Sequence, residues 1–84
     1  MMYQVVIEKQ AQKQLAKIPP PDYTKIVAAL KELAINPRPH GYKKLKGRPG
    51  YRIRVGDYRI IYQVKDDILT VFILIIGNRK DVYD

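Results

Sequence analysis

Eighty-four residues set the size of one domain, with a core that can form but stays thin. The chain has no cysteine and one histidine, His40, which excludes a disulfide framework, a thiolate metal site and a His-based zinc site. Sixteen Lys and Arg against eight Asp and Glu give a net charge of +8, an excess that attracts nucleic acid or an acidic protein partner.

In chain order, Tyr3–Ile7 is β-prone and reads as a short strand. Glu8 to Ile18 is expected to be helical, with Ala11, Leu15 and Ile18 on one face at i, i+4, i+7. Pro19-Pro20-Pro21 ends that helix, because proline lacks the N–H and clashes with the preceding turn. Asp22 is the expected N-cap of a second helix running to about Ile35. Its apolar stripe is Tyr23, Ile26, Val27, Leu30, Leu33 and Ala34, and Asn36-Pro37-Arg38-Pro39 stops it.

From Lys43 onward the period changes to two. Tyr51–Val55 alternates apolar residues with arginine, Gly56-Asp57 is a turn signal, and Tyr58–Val64 follows. Lys65-Asp66-Asp67 is a second turn, and Ile68–Ile76 is a continuous apolar strand, expected to be central and covered on both faces. Gly77 is expected to break it, leaving a polar tail, Asn78–Asp84. The order is β-α-α-β-β-β, an α-hairpin on an antiparallel meander, which is a two-layer α+β domain spanning residues 1–84. The apolar run is nine residues against the roughly 20 that span a bilayer. No N-terminal h-region is present, so a cytoplasmic chain without membrane contact is expected.

Charge is concentrated. Between Arg38 and Arg59 stand eight basic residues (Arg38, Lys43, Lys44, Lys46, Arg48, Arg52, Arg54, Arg59) and one acid, Asp57, interleaved with the rings of His40, Tyr42, Tyr51 and Tyr58. Basic side chains hold phosphates and rings stack on bases, so Lys43, Lys44, Lys46, Arg48, Arg52 and Arg54 are candidate RNA or phosphate contacts.

A two-residue turn at Gly56-Asp57 fixes a register. Val55 then faces Tyr58, Arg54 faces Arg59, Ile53 faces Ile60 and Arg52 faces Ile61. Tyr51, Ile53, Val55, Tyr58, Ile60 and Tyr62 share one face, suited to the helices; Arg52, Arg54 and Arg59 share the other. Like charges directly opposite cost up to about 1 kcal/mol, and an anion between them reverses the sign. The alternative is a solvated face with its arginines splayed into water. The last strand returns toward the Gly56 end, so the tail leaves the sheet near Arg54 and Arg59. Arg79 can join the cluster there. Tyr83 either presents its phenol to that cluster or tucks onto the core.

Leu45-Lys46-Gly47, Tyr51–Val55, Gly56-Asp57-Tyr58-Arg59-Ile60-Ile61-Tyr62, Val71-Phe72 and Gly77-Asn78-Arg79-Lys80-Asp81-Val82-Tyr83, in that order, resemble the RelE family of the RelE/ParE superfamily of toxins. The resemblance covers nearly the whole chain. It implies the toxin of a prokaryotic toxin–antitoxin pair, an endonuclease that cuts mRNA in the ribosomal A site without a metal or other cofactor. In that family RNA supplies its own 2′-OH nucleophile, giving a 2′,3′-cyclic phosphate and a 5′-OH end. The residues that match the family's catalytic set are Arg59, Arg79 and Tyr83, with Arg52 and Arg54 supporting. Arginine forks hold phosphate oxygens bidentately and keep their charge. Surrounding cations favour the phenolate of Tyr83.

The chain departs from the family at two places. Arg52 and Arg54 stand where lysines are common, and arginine does not surrender its proton, so they are restricted to binding and charge stabilisation. Asn78 stands where some relatives have histidine, which leaves the general base open; His40, in a Pro/Gly loop, is expected to have a loop or RNA-contact role, with catalysis as the lesser alternative. A weak acid–base set implies that the ribosome supplies reactive geometry and that free RNA is cut poorly. The implied partners are the ribosome and mRNA, an acidic antitoxin disordered until bound, and operator DNA only through that antitoxin. The competing readings are a ParE-like gyrase inhibitor on the same fold and a catalytically inactive antitoxin-binding module.

Overall fold

The computed structural model describes residues 2–78 and 80. Its sheet has five strands: β1 (Gln4–Ile7), β2 (Lys43–Lys44), β3 (Tyr51–Val55), β4 (Tyr58–Lys65) and β5 (Thr70–Asn78). Two helices, α1 (Lys9–Ala16) and α2 (Asp22–Ile35), cover one face. The strand order is β1-β5-β4-β3-β2, with β1 parallel to β5 and the rest antiparallel. The α+β, two-layer expectation holds, and the sheet gains β2 as a short edge strand.

The helices bury most of the stripes their periodicity dictates; the exception is Tyr23, which is exposed in the first turn of α2. Ala11, Leu15 and Ile18 from the first, and Ile26, Leu30 and Leu33 from the second, meet Ile53, Ile60, Tyr62, Val71, Ile73 and Ile76 of the sheet. Each such aliphatic side chain contributes about 1.5–3 kcal/mol of burial. Tyr62 is fully buried, and its hydroxyl donates to the Pro37 carbonyl at 2.8 Å, so the phenol leaves no orphan group in the core. α1 is shorter than expected. It stops at Ala16, but the Ile18 N–H donates to Leu15 O at 3.1 Å, a tighter turn that still carries Ile18 into the core. Asp22 is not the N-cap. Pro21 occupies that position, and Asp22 is the first helical residue, where its charge still suits the helix dipole.

The last strand differs from the sequence expectation at both ends. Asp66–Ile68 forms a 3₁₀ turn, Leu69 is left-handed at φ 48°, and Ile68 is exposed, so the strand starts at Thr70. It does not break at Gly77, which stays in the ladder opposite Arg59, with Asn78 opposite Tyr58. Its central place between β1 and β4 is as expected. The register shifts between Ile61/Tyr62 on β4 and Ile75/Ile73 on β5, a bulge that leaves Leu74 as the extra residue. Ile73 and Ile76 therefore both reach the helix face, while Leu74 and Ile75 pack with Leu45 and Ile61 on the other. Beyond the end of β1, where Glu8 N–H donates to Ile73 O at 2.9 Å, Gln14 Oε1 accepts the Ile76 N–H at 2.8 Å. A helix side chain thus continues the ladder past the short parallel strand.

At the far end of the sheet, Arg38 donates to Asp66 Oδ2 at 2.9 Å, Tyr3 OH donates to Asp66 Oδ1 at 2.6 Å, and the Arg38 guanidinium lies 5.3 Å from the Tyr51 ring centroid. These bonds clasp the N-terminal strand, the loop after α2 and the 3₁₀ turn. The Arg38 and Tyr3 hydrogen bonds pull the Asp66 carboxyl down from 3.8 to about 2. A carboxylate depressed on folding contributes stability above its unfolded value and loses it as pH falls through the folded one. Thermal midpoints of the wild type are therefore expected to drop between about pH 4 and pH 2. Asp66→Asn is expected to lower the midpoint near pH 7 and flatten that acid limb; an unchanged acid limb would refute the clasp.

Candidate nucleic-acid interface

The hairpin register is the one its turn requires. Val55 pairs with Tyr58, Arg54 with Arg59, Ile53 with Ile60, Arg52 with Ile61 and Tyr51 with Tyr62. Gly56 has φ 60° as the first central residue and Asp57 is not left-handed, which is the II′ pattern for a two-residue turn. Direct partners project on the same side, so Arg54 and Arg59 stand opposite each other on the face away from the helices. Val55 and Tyr58 flank the turn as a hydrogen-bonded pair. Arg54 and Arg59 are then the closer, non-hydrogen-bonded kind of pair, with side chains near each other.

The three arginines differ in burial. Arg54 is exposed and Arg59 half-buried, with its Nε out of reach of solvent. Arg52 is only 6% exposed. Sequence alone treats these as equivalent rungs of one face. The segment between β2 and β3 makes the difference, because it folds back over that face and plugs it with Leu45 against Ile61. Arg48, Arg52 and Arg59 are each engaged by a neighbouring group.

The covering segment is held by a backbone bond from Leu45 N–H to Gly50 O at 3.0 Å and by the shape of Gly50. Gly50 has φ +116°, and a Cβ there would sit 2.9 Å from the Tyr62 carbonyl oxygen. Gly50→Ala is expected to cost roughly 2 kcal/mol or more, from a strained φ together with a backbone clash. A thermal melt reads it, and an unchanged midpoint would contradict the close approach.

Lys43 pairs with Arg52 and so projects to the arginine face, whereas Lys44 pairs with Tyr51 and projects to the other. Lys46 is exposed in the covering segment. Arg48 lines a cavity of about 520 Å³ with Tyr58, Gly77 and Asn78, at the end of β5 where the tail begins. The structure therefore brings Arg54, Arg59 and Arg48 to one end of the sheet and sets Lys44 apart. Arg38, part of the same basic run, is committed to Asp66. Arg79 and Tyr83 lie outside the described residues, although Asn78, opposite Tyr58, puts the start of the tail at the Arg59 end. Among the described residues no group of three or more His, Cys, Asp or Glu could hold a metal ion, and no helix is long and apolar enough to cross a membrane.

A second cavity, of about 400 Å³, lies at the outer edge of β3. Arg52, Arg54 and Lys43 line it with His40, Glu32 and Ala29. The contribution of Glu32 carries no sequence signal, because it depends on how α2 packs over the sheet edge.

In sequence and in fold, the chain matches known proteins of one class: the toxins of type II toxin–antitoxin systems. The family model described as ParE toxin of type II toxin-antitoxin system, parDE, matches residues 5–83. A Methanocaldococcus jannaschii protein named as toxin RelE1 is 33% identical over 87 residues, 99% of this chain and 97% of its own. Toxin RelG of Mycobacterium tuberculosis is 32% identical over 90 residues, 99% of this chain and 98% of its own. Among solved structures, the archaeal RelE–RelB complex from Pyrococcus horikoshii superposes with a TM-score of 0.83 at 33% identity, covering 98% of this chain and 100% of that one. The chain belongs to the RelE/ParE toxin superfamily and is a type II toxin of the RelE family.

Proposed function

We propose that this toxin is an endoribonuclease that cuts mRNA in the ribosomal A site by attack of the 2′-OH on the adjoining phosphate. The observation that carries the reading is the direct opposition of Arg54 and Arg59 at the end of the sheet from which the tail departs. Cations on directly opposed residues repel each other, and a phosphodiester between them converts that cost into binding. Arg59 and Arg79 neutralise the charge that grows on the phosphoryl oxygens in the transition state. Tyr83 shuttles a proton or stacks on a base. Arg54, Lys43, Lys46 and Arg48 hold the flanking backbone, Arg52 braces the face from its buried position, and Lys44 serves RNA approaching from the opposite side. RNA provides the nucleophile, so the residues need only align it with the leaving oxygen and compensate charge.

The partner in the cell is an acidic antitoxin. The archaeal relative is known as a RelE–RelB complex, as is RelBE of E. coli, and this chain's net charge of +8 suits such a partner. Operator DNA is reached only through the antitoxin. The deciding experiment maps RNA ends on ribosomes programmed with defined A-site codons. Cleavage within the A-site codon is expected. A gyrase-inhibiting activity on the same fold is the second reading, favoured by the match to the ParE family model. Gyrase poisoning with intact message would establish it and displace the nuclease.

A further inference from the structure

The edge cavity beside β3 is separate from the arginine rung but shares a wall with it. β2 pairs only with Tyr51 and Arg52, so among the described residues no strand lies along the outer edge of β3 from Ile53 to Val55. The loop bearing His40 and the α2 residue Glu32 both line the gap. Register fixes what the strand offers there. Val55 exchanges its hydrogen bonds with Tyr58, and the groups alternate along the strand, so the N–H and C=O of Arg54 point outward to the open edge. The cavity thus presents a backbone donor and acceptor, an imidazole with a flat face, a carboxylate, and Lys43 with Arg54 at the boundary of the arginine face.

We infer that this cavity seats a nucleobase of the RNA strand next to the scissile phosphate, with Glu32 reading the edge of that base. The inference rests on the nuclease reading and extends it to specificity. At about 400 Å³ the space is within the range of small-ligand sites. Cations in the shared wall keep the flanking phosphates in reach, and the His40 ring is a stacking surface. A carboxylate accepts hydrogen bonds from exocyclic amines, as Glu and Asp do from cytosine N4. It repels the carbonyl oxygens of uracil. Glu32 therefore selects cytosine, adenine or guanine over uracil at one position beside the cut. A base is uncharged and can meet this carboxylate edge-on with its phosphates on the cations of the shared wall, whereas an acidic side chain of a peptide seated in the cavity would meet it charge to charge; RNA is therefore the assigned occupant.

The test compares relative cleavage across a set of A-site codons for the wild type, Glu32→Gln, His40→Ala and the remote control Glu8→Gln, each checked for an intact thermal midpoint. In the wild type and the control, one codon position is expected to disfavour uracil. In Glu32→Gln that discrimination is expected to fall about tenfold, the scale of one good base contact. His40→Ala is expected to weaken cleavage across codons without restoring uracil. An unchanged codon profile in Glu32→Gln, with cleavage intact, would overturn the inference and leave the nuclease standing. Tighter antitoxin binding by Glu32→Gln with that same unchanged profile would instead assign the edge to the peptide. A wild type that cuts no codon would sink the nuclease reading and this inference with it.

Discussion

Arg59→Ala is expected to lower A-site cleavage by about 10²–10³-fold while leaving a folded protein. The magnitude is that of removing one preorganised donor from a developing oxyanion. Arg59 is the member of the opposed pair whose guanidinium stem is held, half-buried and with its Nε out of solvent, so its geometry is set before RNA arrives. Arg54, opposite and exposed, must be ordered by the substrate. The same truncation at Arg54 is therefore expected to cost less, and mainly in substrate binding. Arg59→Lys separates charge from shape, because it restores the cation without the bidentate fork, and intermediate activity is expected. Single-turnover cleavage on programmed ribosomes reads all three. Full activity in Arg59→Ala would remove this residue from the chemistry.

The largest effect on stability is expected from Ile73→Ala. Ile73 is fully buried, stands in the interior strand β5 opposite Ile7 on one side and Tyr62 on the other, and lies under the helix pair. Truncating such a residue costs about 2–5 kcal/mol, because neighbours fixed in a ladder cannot collapse into the space. Domains of this size have about 5–15 kcal/mol in total. A cost of about 3 kcal/mol lowers the thermal midpoint by roughly 10–25 °C. The equivalent change at Ile68, exposed in the 3₁₀ turn, is expected to move it little. Both belong to the one apolar run in the sequence, so equal effects would contradict the strand boundary at Thr70.

That run shows where sequence reading stops. Ile68 and Ile73 look alike in a hydrophobic string, yet two acids ahead of Ile68 support a 3₁₀ turn and a left-handed Leu69 that take it out of the ladder. Gly77 reads as a breaker, but a strand already paired on the β4 side gains another rung by continuing. The bulge at Leu74 is equally silent, since a single extra residue changes nothing in composition. It nevertheless decides which of Ile75 and Ile76 meets the helices.

By itself the sequence determined the two apolar helix stripes, the hairpin register, and with it the opposition of Arg54 and Arg59. Those features follow from periodicity and from a two-residue turn, which act over a few neighbouring positions. Tertiary structure alone decided that Arg52 is buried while Arg54 is exposed, that Arg38 is spent on Asp66 28 residues away, and that Glu32 and His40 border a cavity at the sheet edge. Each of these depends on one segment crossing another: the Leu45 segment over the face, the loop after α2 against the 3₁₀ turn, and α2 over β3. Local pattern carries no record of such crossings, because burial and pairing between distant segments are settled only when the layers pack.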